Sequence, residues 1–411
     1  MFLYIDPGTG SMLFTILIGV LSAAVYFFRS VFLKLRFFMG AGKAESASKD
    51  SVPFVIFTDD KRYWNVFKPI CDEMEKRGEP LSYLTASSDD PALSENYEYI
   101  KTEFIGYGNK AFAFMNTLKA DLVLSSTPGL DVYQWKRSRD VNWYVHIPHA
   151  ASDITLYRMF GIDYFDAVLL SGEYQRKQIR ALETLRSLPE KDLPLVGIGY
   201  MDSMKQRLEA SPELHPHHTT VLVAPSWGPS AILSKYGSEI IDELLKTDYK
   251  IIIRPHPQSF ISEKQLIEIL MAEYPNSDKL TWDRSNDNFE VLREADILIS
   301  DFSGIIFDFA LVFDKPVIYA DTSFDKGPYD AWWLNEELWT FETLPKIGVQ
   351  LSPEALPQIG NIIDNSLNSL ELKAGRATAR SETWCNIGNA ASAAADYLID
   401  TRKHILEISQ N

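Results

Sequence analysis

The stretch Ala295-Asp-Ile-Leu-Ile-Ser-Asp-Phe-Ser-Gly-Ile-Ile-Phe-Asp-Phe-Ala310 reads as an apolar strand, a short polar turn and the opening of a helix, with a second strand in Lys315-Pro-Val-Ile-Tyr319. Free backbone N–H groups at a helix start favour an anion, and the hydroxyls of Ser300 and Ser303 can add donors. Gly304 allows a phosphate to come close to the backbone. The plainer alternative is an ordinary capped helix, with Asp301 or Ser303 as the cap. A second candidate is Lys250-Ile-Ile-Ile-Arg-Pro-His-Pro257. Pro255 and Pro257 push the residues before them toward extended backbone, so Arg254 and His256 should point to the same side. A guanidinium beside an imidazole suits a phosphate, because arginine can grip two oxygens at once. The competing reading pairs Arg254 with a surface carboxylate and leaves His256 solvated.

A third candidate is Asn142-Trp-Tyr-Val-His-Ile-Pro-His-Ala-Ala-Ser-Asp153. Here His146 falls inside a strand, where a buried, hydrogen-bonded role is expected. His149 falls in the turn beyond it, placed to act as a general base toward a bound hydroxyl. In Val221-Leu-Val-Ala-Pro-Ser-Trp227 a buried strand ends at Pro225, Ser226 and Trp227, and the indole could floor a base pocket or simply pack. The cluster His215-Pro-His-His218 lacks acidic or cysteine partners at useful spacing. The aspartate pairs at 59–60 and 89–90 lack a third ligand, so no essential metal is expected.

Placing these groups takes a large chain with a repeated plan. With 411 residues, 46% hydrophobic and 23% charged, the chain has the composition of a globular protein with room for two or three domains. Its net charge, 40 − 56 = −16, argues against nucleic acid and requires that an anionic ligand be held by local positive groups. Two cysteines, Cys71 and Cys385, suit a reducing compartment and offer no disulfide framework. Ser11 to Phe28 is uncharged and just long enough for a hydrocarbon core of about 30 Å. Asp6 precedes it, and Arg29, Lys34, Arg36 and Lys43 follow, so a single anchor with the large C-terminal part in the cytosol is expected. A cleaved signal peptide would carry its positive charges before the apolar run. Val31 to Met39 should lie along the membrane interface, and Gly40 to Lys49 forms a soft linker.

Beyond the linker, short buried strands are expected at 52–57, 81–85, 121–124, 142–146 and 167–170, with amphipathic runs at 64–77 and 174–187. A second alternating set has strands at 220–223, 249–253, 297–300 and 317–319, with helices near 238–245 and from 262. Alternation of this kind builds parallel sheets covered by helices, with a ligand cleft at the strand C-termini. The expected organisation is an anchor and linker (1–50), an acceptor-side Rossmann-like domain (51–210), a nucleotide-donor domain (211–375) and C-terminal helices crossing back (376–411).

Taken in order, Pro225-Ser-Trp227, Arg254-Pro-His256, Ser300-Asp-Phe-Ser-Gly304 with Phe307-Asp308, and Lys315-Pro316 resemble the CDP-glycerol glycerophosphotransferases of teichoic-acid and capsule synthesis. The His149 turn is similar to that family's His-Gly-Thr segment. Gly199-Tyr-Met-Asp202 loosely resembles its Gly-x-Pro-x-x-Asp stretch, and Gly388-Asn-Ala-Ala-Ser392 its Gly-Lys-Ala-Ser helix start. The resemblance implies a GT-B-like α/β fold, two doubly wound parallel-sheet domains facing a cleft, here preceded by one transmembrane helix. It also implies a CDP-glycerol or related CDP-alditol donor, a lipid-linked saccharide or polymer acceptor, donor binding without a metal, and work at the cytoplasmic membrane face; no cofactor is expected. On this reading His149 is the base, and Arg254 and His256 stabilise the diphosphate. Ser303 and Gly304 cradle it, and Asp308 takes ribose hydroxyls, with Pro225, Ser226, Trp227, Ser300 and Asp301 on the donor side. Ala150-Ala-Ser-Asp-Ile154 departs from the family's Gly-Thr-Pro-Leu-Lys, and the missing lysine removes a positive contact on the acceptor side. Two rival readings stand beside this one. One is a GT-B glycosyltransferase using a UDP- or GDP-sugar, and the other is a catalytically silent, membrane-tethered nucleotide-binding subunit.

Overall fold

The structure, a computed structural model, describes residues 51–215, 217–285, 287–320 and 326–410. The expected anchor at Ser11–Phe28, the juxtamembrane tail and the linker lie outside the described residues. No described helix is long and apolar enough to cross a membrane.

Among the described residues, two six-stranded sheets form the frame. The first contains β1 (Val52–Thr58), β2 (Leu81–Thr85), β3 (Ile100–Phe104), β4 (Lys119–Ser125), β5 (Asp140–His146) and β6 (Ala167–Val168), in the order β3-β2-β1-β4-β5-β6. The second contains β7 (Thr220–Val223), β8 (Lys250–Ile253), β9 (Leu280–Trp282), β10 (Ile297–Ser300), β11 (Val317–Ala320) and β12 (Gly348–Leu351), in the order β12-β11-β10-β7-β8-β9. Every pairing is parallel; Phe54 sits between Leu81 and Leu122 in the first sheet, and Leu298 between Leu222 and Val317 in the second. Parallel strands need helices on both faces, and the sequence supplies apolar residues for both. Phe54 and Ile56 enter one core while Val55 and Phe57 enter the other. In the second sheet, Val221 and Val223 face one core and Leu222 and Ala224 the other. The strand order reverses between β1 and β4 and again between β7 and β10, and crevices open at such points.

Buried polar contacts join the halves. Asp153, just past β5, accepts from Trp339 N at 2.8 Å, Thr340 N at 2.9 Å and Thr340 Oγ1 at 2.6 Å. It thus caps the helix Trp339–Ile347 from the other half of the molecule. Trp339 in turn stacks on Tyr174 of the first half, with ring centroids 4.2 Å apart. Arg186 bridges Asp163, at 2.7 Å, and Asp330 of the second half.

The chain then returns to the first sheet. Ala394, Ala395 and Leu398 of the helix Ala390–Gln410 enter the core formed by Phe67, Ile70 and Met74. Asp202 accepts from Trp384 Nε1 at 2.9 Å, Gly388 N at 2.8 Å and Ala390 N at 3.0 Å, so the two glycine-containing segments noted in the sequence meet here. Gly197, with φ +96°, runs so close to this turn that a Cβ would lie 2.2 Å from the Cys385 carbonyl oxygen.

Candidate active site

A cleft of about 910 Å³ opens between the C-terminal ends of the two sheets. That is ample for a nucleotide-linked donor, since small-molecule sites usually run to about 300–1,000 Å³. From the second half it is lined by Ala224 and Pro225 after β7, Arg254 to Pro257 after β8, Ser303 to Ile305 and Asp308 after β10, and the segment Asp287–Phe289. The first half contributes Arg62 and Tyr63 after β1, His149 and Ala150 after β5, and Asn65, Val66, Lys68, Pro69 and Asp72 of the helix Trp64–Lys76. Tyr200, Ser203, Met204 and Arg207 of the helix Gly199–Ala210 line it between them.

His149 is reached by solvent through the cleft, while protein encloses it on the other sides. Its ring centroid lies 5.1 Å from that of Tyr63 and 6.4 Å from that of Tyr157. Partial desolvation by the cleft walls, with the Arg62 charge second, pushes its pKa down to about 4. His146 is fully buried against Tyr157 Oη, 2.9 Å from Nε2, and burial pushes it down to about 3.

Arg254 and His256 both line the cleft. The guanidinium, however, is tied to Asp283 through Nη1 and to the Ser285 carbonyl through Nη2 at 2.8 Å, as in the carboxylate-paired reading. His256 Nδ1 accepts from Gln258 N at 3.1 Å, which turns Nε2 outward as the free ring nitrogen. Its pKa is lowered by burial first and by Arg62 second.

Ser303, Gly304 and Asp308 face the cleft. Gly304 has an ordinary helical φ of −55°, and a Cβ there would meet only Ala150 Cβ at 3.8 Å. Neither backbone strain nor crowding within the protein therefore demands glycine, and the open side is the cleft. The helix that follows, Ile305–Phe307, continues as a π-helical turn, Asp308–Val312. Insertions of that kind are frequent at functional sites. Asp308 is pushed up to about 6 by burial, although Tyr200 Oη donates to its Oδ1 at 2.5 Å.

Four expected donor-side residues, Ser226, Trp227, Ser300 and Asp301, lie outside the cleft lining. Ser300 is buried and donates to the Ala224 carbonyl at 2.6 Å, clamping β10 to β7. Asp301 lies beneath the lining and accepts from Ser226 N at 3.0 Å, Ile232 N at 3.1 Å and Phe302 N at 2.8 Å. It shapes both turns, and Ser226 with them, from below. Trp227 is 50% exposed and lies outside the cleft lining. Pro225 does line the cleft.

The first half's contribution beyond His149 was not foreseen. Arg62 and Tyr63 sit in a charged run, Asp59-Asp-Lys-Arg-Tyr63, that reads as a solvated loop. The available signal was its place immediately after the first strand of a doubly wound sheet. Among the described residues, no group of three or more His, Cys, Asp or Glu side chains is arranged to hold a metal.

Residues 194–331 match the family model of CDP-glycerol:poly(glycerophosphate) glycerophosphotransferase. The minor teichoic acid biosynthesis protein GgaB of Bacillus subtilis (strain 168) is 33% identical over 101 residues, which is 23% of this chain and 10% of that protein. The match thus spans about a tenth of that curated relative's length. A structure of the wall teichoic acid polymerase TagF soaked with CDPG is similar with a TM-score of 0.55 and 16% identity, over 95% of this chain and 99% of that one. The UDP-GlcNAc 2-epimerase of Neisseria meningitidis bound to UDP-GlcNAc gives a TM-score of 0.54 and 13% identity, over 85% and 100%. At such identities these likenesses show the fold, a GT-B-like pair of α/β halves. Residues 194–331 carry every cleft-lining segment of the second half, and it is this part of the chain that is similar to the CDP-glycerol:poly(glycerophosphate) glycerophosphotransferase family.

Proposed function

We propose that the protein transfers glycerol phosphate, or a related alditol phosphate, from a CDP-linked donor to a hydroxyl of a lipid-linked saccharide or growing surface polymer, releasing CMP. One observation carries this reading. The imidazole of His149, from the first half, faces the same cleft as the phosphate-suited segments Arg254–His256 and Ser303–Gly304 of the second half. In the reaction, His149 takes the acceptor proton as the acceptor oxygen attacks the phosphorus nearer the glycerol. The bond from that phosphorus to the bridging oxygen breaks, and CMP leaves with the electron pair. Such transfers need positioning and stabilisation of charge on the phosphate oxygens more than covalent chemistry by the protein. His256, the Ser303 hydroxyl and the backbone around Gly304 serve that end, and Asp308 receives the ribose hydroxyls. Arg254, anchored by Asp283, keeps the loop after β8 in place and adds positive potential. On this reading Ser11–Phe28 anchors the enzyme, and the catalytic part faces the cytosol, where nucleotide-linked donors are available.

The test is CMP release from CDP-glycerol by the full-length protein in detergent, with and without a lipid-linked saccharide acceptor. Acceptor-dependent release, absent in His149→Ala, is expected. Full release by the His149→Ala variant would remove the base assignment, and no release with any acceptor would remove the reaction.

A further inference from the structure

Among the described residues, four lysine or arginine side chains line the cleft, and three of them spend terminal nitrogens on carboxylates. Lys68 pairs with Asp72 at 3.1 Å and Glu95 at 3.5 Å, Arg207 with Asp287 and Glu290, and Arg254 with Asp283. Arg62 differs. Asp60 Oδ1 accepts from its backbone N at 2.9 Å and its Nε at 3.0 Å, which fixes the base of the side chain. Neither Nη group has a hydrogen-bond partner among the described residues, and the side chain is 67% exposed. The short turn Lys61–Tyr63 that carries it follows β1, at the point where the first sheet reverses its strand order. Its neighbour Tyr63 packs on His149. The Arg62 charge is felt at His149 in the first half and at His256 in the second, so it stands near the space between them.

We infer that Arg62 is the cross-cleft phosphate clamp: its free Nη pair grips the phosphoryl group being transferred, from the acceptor half, while the second half holds the nucleotide. The inference rests on the CDP-linked donor proposed above. A guanidinium anchored through Nε by a carboxylate presents both remaining nitrogens in a fixed fork, the geometry that phosphate oxygens accept bidentately. It approaches the face of the phosphoryl group opposite the helix that follows Gly304. Negative charge on the equatorial oxygens would thus meet donors from both halves, and His149, beside the same turn, would be brought to the acceptor oxygen. Asp60 acts through Arg62 and is a positioning residue.

The experiment compares CMP, CDP-glycerol and turnover in full-length wild type, Arg62→Ala and Arg62→Lys. Because CMP lacks the transferred phosphate, Arg62→Ala should bind it as wild type does, which also shows that the variant is folded. The same variant should bind CDP-glycerol about tenfold more weakly and turn it over about 10²-fold more slowly, the scale of losing one preorganised donor to a transition-state oxygen. Arg62→Lys, which keeps the charge but loses the fork, should recover part of the affinity and less of the rate. Unchanged CDP-glycerol affinity and turnover in Arg62→Ala would overturn the clamp and leave the transferase reading intact. Failure of wild type itself to bind CDP-glycerol would overturn that reading, and the clamp with it.

Discussion

Asp308→Asn should stabilise the protein at neutral pH while impairing its function. The carboxyl is half-buried in the cleft wall, and this burial outweighs the Tyr200 hydroxyl, raising its pKa from 3.8 to about 6. Between those values the unfolded chain has released the proton and the folded one keeps it, so stability from this group falls as pH rises through the window. Above pH 6 the full penalty is present. At about 1.4 kcal/mol for each factor of ten in acidity, it amounts to about 3 kcal/mol at pH 7.5 and about 1 kcal/mol at pH 4.5. Asparagine keeps the size and one acceptor oxygen for Tyr200, and it cannot ionise. Its amide needs a partner of its own, which offsets about 1 kcal/mol or more of the gain. Urea unfolding of the two proteins, followed from pH 4.5 to 8, should therefore show the variant more stable by about 1–2 kcal/mol at pH 7.5, with the difference gone or reversed at pH 4.5. Other acids titrate alike in both proteins and cancel. Donor affinity should fall in the same variant, because ribose hydroxyls would meet a weaker acceptor. A stability difference that does not vary with pH would refute the reasoning, because the carboxyl would then not be carrying a buried charge.

Three further substitutions probe separate parts of the account. His149→Ala should lower turnover by about 10²- to 10⁴-fold with donor affinity retained. In wild type, the acid limb of kcat/KM should fall near pH 4 rather than near pH 6.5, because protonation as pH drops removes the base; a pH–rate profile checks both. Asp153→Ala leaves the buried donors of Trp339 and Thr340 without an acceptor and should destabilise the protein by about 2–4 kcal/mol in urea titrations, with the cleft activity lost in parallel. Gly304→Ala should leave stability within about 0.5 kcal/mol of wild type, given its helical φ and open surroundings, yet weaken donor binding about tenfold, measured by calorimetry.

The inner strands were legible because they are short, apolar and bounded by breakers. Thr220–Val223 and Ile297–Ser300 stand as expected from their residue types. Three strands carry no such signal: Ile100–Phe104, Leu280–Trp282 and Gly348–Leu351. Each lies at the edge of its sheet. An edge strand has one neighbour and can carry solvent-facing polar residues, as Lys101 and Glu103 show, so the unbroken apolar run that marks an inner strand is missing. The helix Gly199–Ala210 was also missed; it opens on a glycine and has few buried residues.

At the site, the turns of the second half were legible because strand, turn and helix follow one another locally. What lies beneath them was not. Asp301 looks like part of a phosphate-binding turn, yet its acceptor work reaches Ser226 and Ile232, 75 and 69 positions away. Arg254 reads as a phosphate ligand, but the Asp283 that holds it follows a strand of only three residues, Leu280–Trp282. Arg62 belongs to the cleft because the two halves face each other, and its place just after β1 is the one local sign of it.

The central claim is a cytidine-linked donor in the cleft between the halves. Calorimetric titration of the full-length protein with CDP, UDP and GDP, repeated on Ser303→Ala, tests it most directly. Selective binding of CDP that weakens in Ser303→Ala is the expected result. Selective binding of UDP or GDP by wild type would contradict it and make the protein a candidate sugar-nucleotide enzyme.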